Sequence, residues 1–177
     1  MSRQVAQANR FLSGAVSPVQ PPRVTLPFAA VGYGYTQENP HRGVDMSPYP
    51  GAFGEPISAA WGGTVTRTGY TEGRGNYVSI VSVFPFAVWG TDLQGNVQTV
   101  PAGQPFTVGY YHLQSAPAVR QGEVVRPGQY LGDIGATGRA TGAHLHMIAW
   151  YDGDYLDPLD LLSATVVGFR QAVVYSV

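Results

Sequence analysis

Glycine and proline recur so often along this chain that they divide it into short segments bounded by turns. The 177 residues include Gly 23 and Pro 14, about a fifth of the sequence, and both residue types interrupt helices and mark turns. Helix-length apolar periodicity is missing between residues 23 and 151. Charged residues are only 12% of the chain, half the usual ~25%. We therefore expect one turn-rich, all-β domain.

Runs of β-branched and aromatic residues alternate with these turns and predict the strands. From residue 81 to residue 107, glycine and proline predict a long hairpin excursion with a tight turn at Gly95-Asn96. The predicted strands are Gly43 to Met46, Ile57 to Tyr70, Asn76 to Phe84, Phe106 to Leu113, Gln129 to Ile134 and His144 to Trp150.

Two appendages flank the predicted domain of residues 23–162. Residues 1–22 begin with apolar side chains at helical spacing and continue with several prolines, which predicts a short amphipathic helix and a linker. We expect this helix to dock on the domain or on another protein, because so short a helix is marginal alone. Asp157-Pro158 opens one short helical turn, and the tail of residues 163–177 predicts a final strand or hairpin from Thr165 onwards.

The charged and sulfur-containing side chains exclude several classes of function. All 10 basic residues are arginine and none is lysine, which rules out Schiff-base chemistry and a Walker motif. With 11 acidic residues and a net charge of −1, no basic field exists to bind nucleic acid or an anionic membrane surface. Cysteine is absent, so a bound metal needs His, Asp or Glu. We also expect no membrane span and no secretory signal, because no suitable apolar run occurs.

The four histidines, together with one aspartate, carry the strongest chemical signal. His41 and Asp45 are four residues apart, whereas His144 and His146 are two apart on a predicted strand and so share a face. Two histidine nitrogens and one carboxylate make a three-ligand zinc site with an open fourth position, which is the catalytic arrangement. Each pattern alone has a structural explanation: His112 could be an ordinary sheet histidine, and a His-x-x-x-Asp sequence could form a turn.

A series of short motifs follows in a fixed order between residues 25 and 162. They are His41 to Asp45, Glu55 to Val65, Asn76 to Ile80, Tyr110 to Leu113, Val119 to Gly128, Leu131 to Gly138, Thr141 to His146 and Asp157 to Leu159. Their order and spacing resemble the lysostaphin/LytM-type zinc endopeptidases. The resemblance implies a small antiparallel β-sheet or sandwich with a groove over the sheet, one Zn²⁺ per chain, and hydrolysis of peptide bonds in bacterial peptidoglycan.

The resemblance also implies roles for individual residues. His41, Asp45 and His146 correspond to the zinc ligands, and His112 and His144 to two catalytic histidines that do not bind the metal.

A tyrosine that precedes the first ligand in this family helps to stabilise the oxyanion, and Tyr35 is the best-placed candidate, with Tyr33 behind it. The chain departs from the family pattern at Ala143, Met147 and Ile148 and at Ser82, where a histidine is usual. None of these positions is an expected ligand, so the departures affect substrate fit rather than metal binding.

Three functional hypotheses remain open at this stage. The first is a peptidoglycan endopeptidase whose acid–base chemistry uses His112 or His144, since no glutamate lies near the zinc motifs. The missing signal suggests a bacteriophage lysin or a virion component with phage tail proteins as partners. The second is a non-catalytic structural or tail module that keeps the zinc site, and the third is a zinc hydrolase acting on another small amide. The bond cleaved, the host and the oligomeric state are not predicted.

Overall fold

Strands account for most of the regular structure in residues 15–48 and 51–165, which the computed structural model describes. One helix, α1, begins at residue 158 and runs through residue 165. The prediction of an all-β, antiparallel fold is confirmed. The strands are β1 (Val24–Leu26), β2 (Val44–Met46), β3 (Pro56–Ser58), β4 (Gly63–Thr71), β5 (Gly75–Val83), β6 (Val88–Thr91), β7 (Val97–Val100), β8 (Pro105–Leu113), β9 (Val124–Val125), β10 (Tyr130–Asp133), β11 (Leu145–Tyr151) and β12 (Asp154–Leu156).

The main sheet has the order β1-β2-β11-β8-β5-β4-β9, and β12 pairs with β11. Its pairs are antiparallel, and β8 in the centre pairs with both β5 and β11. Alternation along β8 turns Phe106, Val108 and Tyr110 into the core and leaves Thr107 and Tyr111 on the other face. The sheet therefore has one face that packs the core and one that can carry a groove.

Aromatic side chains fill the core beneath the main sheet. The Trp61 ring meets Phe106 edge-on at 5.7 Å between centroids, and the smaller β3–β10 pair adds Ile57 and Leu131, both fully buried. The Tyr110 hydroxyl is buried in this core and accepts a hydrogen bond of 2.8 Å from the Ala60 N–H.

Replacing Tyr110 with phenylalanine is expected to lower the free energy of unfolding by ~1–3 kcal/mol, because the buried Ala60 N–H loses its acceptor. Urea denaturation of the two proteins measures the difference. Tyr130→Phe is the matched control, since the Tyr130 hydroxyl bonds Asp133 at the surface and its loss should cost less than ~0.5 kcal/mol. Equal effects of the two substitutions would show that the Ala60 contact contributes nothing specific.

The segment between β5 and β8 contains a hairpin of β6 and β7, paired from Val88↔Val100 to Thr91↔Val97. Its turn spans residues 92–96 and is wider than the turn expected at Gly95-Asn96. The reason is that the Asp92 carboxylate accepts hydrogen bonds from the backbone amides of Gln94 and Asn96. The hairpin is tied to α1 because Thr91 donates from its amide and its hydroxyl to the Asp160 carboxylate.

The two ends of the chain fall partly outside the described residues. The helix expected near the N-terminus lies outside them, whereas the linker from residue 15 is described and has Val19 buried in the core. At the other end, Thr165 was expected to begin a strand but is helical in α1. Its hydroxyl donates 2.6 Å to the Leu161 carbonyl one turn earlier and accepts from the Trp61 indole. The rest of the expected C-terminal strand lies outside the described residues.

In the part of the chain that the structure describes, no helix combines the length and the apolar character needed to cross a membrane.

Candidate metal centre and active site

Antiparallel pairing of β2 with β11 brings together residues that are a hundred positions apart in the sequence. The register places His146 directly opposite Asp45. His41 lies just before β2, where its backbone exchanges hydrogen bonds with Ala29 and Ala30. The three side chains therefore converge from two adjacent strands and the loop that leads into one of them.

The donor atoms of these three residues form one tight cluster. His41 Nε2 lies 3.1 Å from Asp45 Oδ1, and His146 Nδ1 lies 2.7 Å from the same oxygen. The two histidine nitrogens are 3.0 Å apart. Among the described residues, this is the group of donor atoms that fits a metal ion, since all three lie within 4.8 Å of one another.

The protonation of the cluster suits a cation. His41 Nδ1 lies 2.8 Å from the Pro27 carbonyl oxygen, so a neutral His41 donates there and presents an unprotonated Nε2 to the cluster. That nitrogen and Asp45 Oδ1 are then two acceptors in contact, and a cation would stabilise this arrangement. Two imidazole nitrogens and one carboxylate oxygen are a donor set that zinc prefers.

Burial and charge act together on the ionisable groups of the cluster. Burial raises the pKa of the Asp45 carboxyl. Its contacts with His146 and His41 lower this pKa by a larger amount, so the net pKa lies well below its usual value. Burial lowers the pKa of His146 and outweighs the opposing effect of Asp45. An ionised carboxylate and a neutral imidazole are the protonation states that bind metal.

A second pair of histidines lies beside this cluster. The rings of His112 and His144 are 4.8 Å apart between centroids, and His144 Nε2 lies 3.6 Å from Asp45 Oδ1. Each directs Nδ1 at a backbone carbonyl, His112 at Thr137 (2.8 Å) and His144 at Gly142 (2.9 Å). Nδ1–H donation in both leaves Nε2 of each able to accept a proton.

His112 is held in an uncommon backbone conformation. Its φ is 65°, in the left-handed region that non-glycine residues seldom adopt. Its amide donates 2.8 Å to the Arg74 carbonyl, and its own carbonyl accepts from Gly135. Burial lowers the pKa of His112 to about 4, so its imidazole is neutral at pH 7.

Thr137 positions His112 and was not singled out from the sequence. Besides accepting from His112, it donates 2.6 Å from its hydroxyl to the Leu113 carbonyl and accepts 3.0 Å from the Asn76 amide. Glycine at 138 lets the segment that follows Thr137 lie close against Gly75, since a Cβ at 138 would lie 2.1 Å from the Gly75 nitrogen. A threonine enclosed by glycines in the stretch Leu131 to Gly138 was the available signal.

The two candidate tyrosines occupy different environments. The Tyr35 ring lies 4.8 Å from the His41 ring, and burial, followed by the charge of Asp45, raises the pKa of its hydroxyl. Tyr35 is thus a protonated donor next to the cluster. Tyr33 is 94% exposed. The structure brings His41, Asp45, His146, His112, His144 and Tyr35 together, and their individual roles stay predictions.

Gly43 lies directly before β2 and packs against β11 beside His146. A Cβ at this position would lie 2.5 Å from the Met147 carbonyl oxygen and 2.8 Å from the His146 ring. We therefore expect Gly43→Ala to displace His146 and weaken metal binding by ~10-fold or more, comparable to loss of a supporting contact. Competition with a chromophoric chelator measures the affinity. Gly73→Ala is the control, since a Cβ at 73 meets nothing within 4 Å, and an equal loss there would contradict the steric explanation.

Comparison with known proteins agrees with this geometry. Residues 81–158 match the model of Peptidase family M23. The chain is 34% identical over 118 residues to the peptidoglycan DD-endopeptidase ShyC of Vibrio cholerae serotype O1. The aligned region covers 67% of this chain and 22% of that protein. The chain thus spans less than a quarter of that relative's length.

Solved structures share the fold. A protein described as a peptidase M23 from Pseudomonas aeruginosa has a TM-score of 0.60 and 27% identity, covering 92% of this chain and 60% of that one. The catalytic domain of lysostaphin from Staphylococcus simulans has a TM-score of 0.60 and 23% identity, covering 80% and 92% of the two chains. The motifs, the antiparallel sheet and these matches agree, and the chain belongs to peptidase family M23.

Proposed function

We propose that the chain is a zinc-dependent endopeptidase that hydrolyses peptide bonds in bacterial peptidoglycan, in cross-bridges or stem peptides. The observation that carries the proposal is the His41–Asp45–His146 donor cluster with two further histidines beside it. The family match and the similarity to a peptidoglycan DD-endopeptidase support the choice of substrate.

His41, Asp45 and His146 would hold one zinc ion in each chain. When bound, zinc supplies Lewis acidity, which lowers the pKa of a coordinated water towards ~7 and polarises a carbonyl. Three protein ligands would leave a fourth coordination position open, as in catalytic zinc sites. The Pro27 carbonyl fixes the orientation of the His41 ring, and this second contact keeps the ligand nitrogen directed at the cluster.

His112 and His144 would carry the protons. The contact of His112 Nδ1 with Thr137 leaves Nε2 free to accept a proton from the attacking water. His144 has the same arrangement through Gly142, so either histidine can take the proton from the water and, once protonated, deliver that proton to the leaving amine. Tyr35, whose hydroxyl stays protonated, would donate a hydrogen bond to the oxyanion.

The test is release of new amino groups from purified peptidoglycan of several chemical types. The zinc-loaded protein should release amines from at least one type, stop when a chelator removes the metal, and resume when zinc is restored. The masses of the products would then name the bond. Zinc bound without release from any type would overturn the proposal in favour of a non-catalytic module, and release from small amides but not peptidoglycan would favour another zinc hydrolase.

A role in a phage lysin or in a virion with tail proteins remains a prediction of the sequence. The similarity to a peptidoglycan DD-endopeptidase supports peptidoglycan as the partner and does not bear on tail proteins. Sedimentation of the purified chain tests the tail prediction, because an assembly component should self-associate or bind the tail protein, and strictly monomeric behaviour would weaken it.

A further inference from the structure

A groove of about 420 Å³ runs over the main sheet on the face opposite the core. Its floor includes Thr107 and Tyr111 of β8 and Ile148 of β11, and the side chain of Arg67 on β4 lines it further out. The Tyr111 ring stacks on the His146 ring at 5.6 Å between centroids. The groove therefore adjoins the metal cluster through Tyr111, and we expect a peptide lying in it to reach the candidate catalytic groups.

The charge of this groove differs from that of the whole chain. The chain carries a net charge of −1, but the groove is lined by two arginines, Arg67 and Arg74, and by no acidic residue. Among the described residues, neither Arg67 nor Arg74 forms an ion pair with a carboxylate. The groove thus carries positive charge without an internal counter-charge.

Arg74 is held in place rather than simply solvated. Its guanidinium lies 5.3 Å from the Tyr77 ring centroid and 5.2 Å from that of Tyr111, and these cation–π contacts orient it over the groove. Its backbone carbonyl accepts the His112 amide. Arg74 therefore contacts His112 through its backbone carbonyl. Through its side chain it contacts Tyr111, whose ring stacks on His146.

We propose that this groove recognises peptides by a free carboxylate close to the scissile bond, with Arg74 as the main contact and Arg67 as the second. The inference rests on the proposed function and names its substrate class. A guanidinium presents forked N–H donors that match a carboxylate. A neutral peptide filling the groove would desolvate the arginines without supplying a partner, which is unfavourable. Peptides with amidated carboxyl groups or neutral glycine bridges should therefore bind more weakly.

The test uses one cross-linked muropeptide in four chemical forms: both carboxyl groups free, only the terminal one amidated, only the side-chain one amidated, and both amidated. Binding is measured by calorimetry with the zinc-loaded His144→Ala variant, in which turnover should be blocked, and kcat/KM is measured with the wild-type holoenzyme. Comparing the two singly amidated forms identifies whether the terminal or the side-chain carboxylate is recognised.

Free carboxylate is expected to improve affinity and kcat/KM about tenfold over the fully amidated form, the size of one charge-assisted contact. Arg74→Gln should reduce this ratio to about two, and Arg67→Gln should reduce it by less, because Arg67 is more exposed. Arg23→Gln is the matched control: Arg23 precedes β1 at the far edge of the sheet and its loss should leave the ratio at its wild-type value.

Equal binding of all four forms would overturn the inference, and so would a ratio that Arg74→Gln leaves unchanged. If the holoenzyme cleaved all forms equally, the proposed function would stand and the carboxylate preference would fail. If the protein bound the free acid tenfold better through Arg74 but cleaved nothing, the groove assignment would stand and the proposed peptidase activity would fail.

Discussion

Replacing either His112 or His144 with alanine is expected to reduce amine release from peptidoglycan by ~10²–10⁴-fold while zinc stays bound. Each imidazole directs Nδ1 at a backbone carbonyl and keeps Nε2 for proton transfer, and loss of a positioned acid or base costs this much. Zinc content by atomic emission and initial rates on the same preparation give the two quantities.

This prediction needs a control for folding, because His112 is buried and has an uncommon backbone conformation, so its replacement could unfold the protein. Thermal unfolding of His112→Gln and His144→Gln separates lost chemistry from lost structure, since glutamine keeps a polar side chain of similar reach. Loss of zinc from His112→Ala, with the protein still folded, would make the division into ligands and proton carriers wrong.

Replacing His41, Asp45 or His146 with alanine is expected to weaken zinc binding by more than ~100-fold and to abolish turnover. The reason is that these three residues supply the donor atoms of the cluster, and even residues that only support a ligand contribute 10–100-fold to metal affinity. Competition with a chromophoric chelator measures the zinc dissociation constant of each variant.

Asp133→Ala provides a matched carboxylate deletion outside the cluster, where Asp133 accepts a hydrogen bond from Tyr130 at the surface. It should bind zinc as the wild type does. Retention of zinc by His146→Ala together with its loss from His144→Ala would contradict the ligand assignment, because the two histidines would have exchanged roles.

The sequence predicts the central strands well because their patterns are strong. Alternation along β8 separates Phe106, Val108 and Tyr110 from Thr107, and a two-residue period needs no knowledge of partners. The clustering of His41 with His146 depends instead on how β2 pairs with β11. Spacing alone does not give that register, and the grouping of His41 with Asp45 and His146 as zinc ligands came from the family resemblance.

Other features depend on tertiary contacts that local patterns do not contain. Thr165 has a β-branched side chain typical of strands, yet its contacts with Leu161 and Trp61 place it in a helix. The wide turn at 92–96 follows from one carboxylate collecting backbone amides. The position of Thr137 depends on hydrogen bonds to Asn76 and to the neighbouring residues His112 and Leu113, and both of these places are distant from Thr137 in the sequence.

The most direct test of a zinc peptidase built on this cluster is a titration of metal-free protein with zinc, following amine release from purified peptidoglycan. We predict no release without metal, a rise in proportion to the zinc added, and saturation at about one zinc per chain, as expected for a single three-ligand site. Release that is already maximal in the metal-free protein, or a full zinc site without any release, would contradict the account.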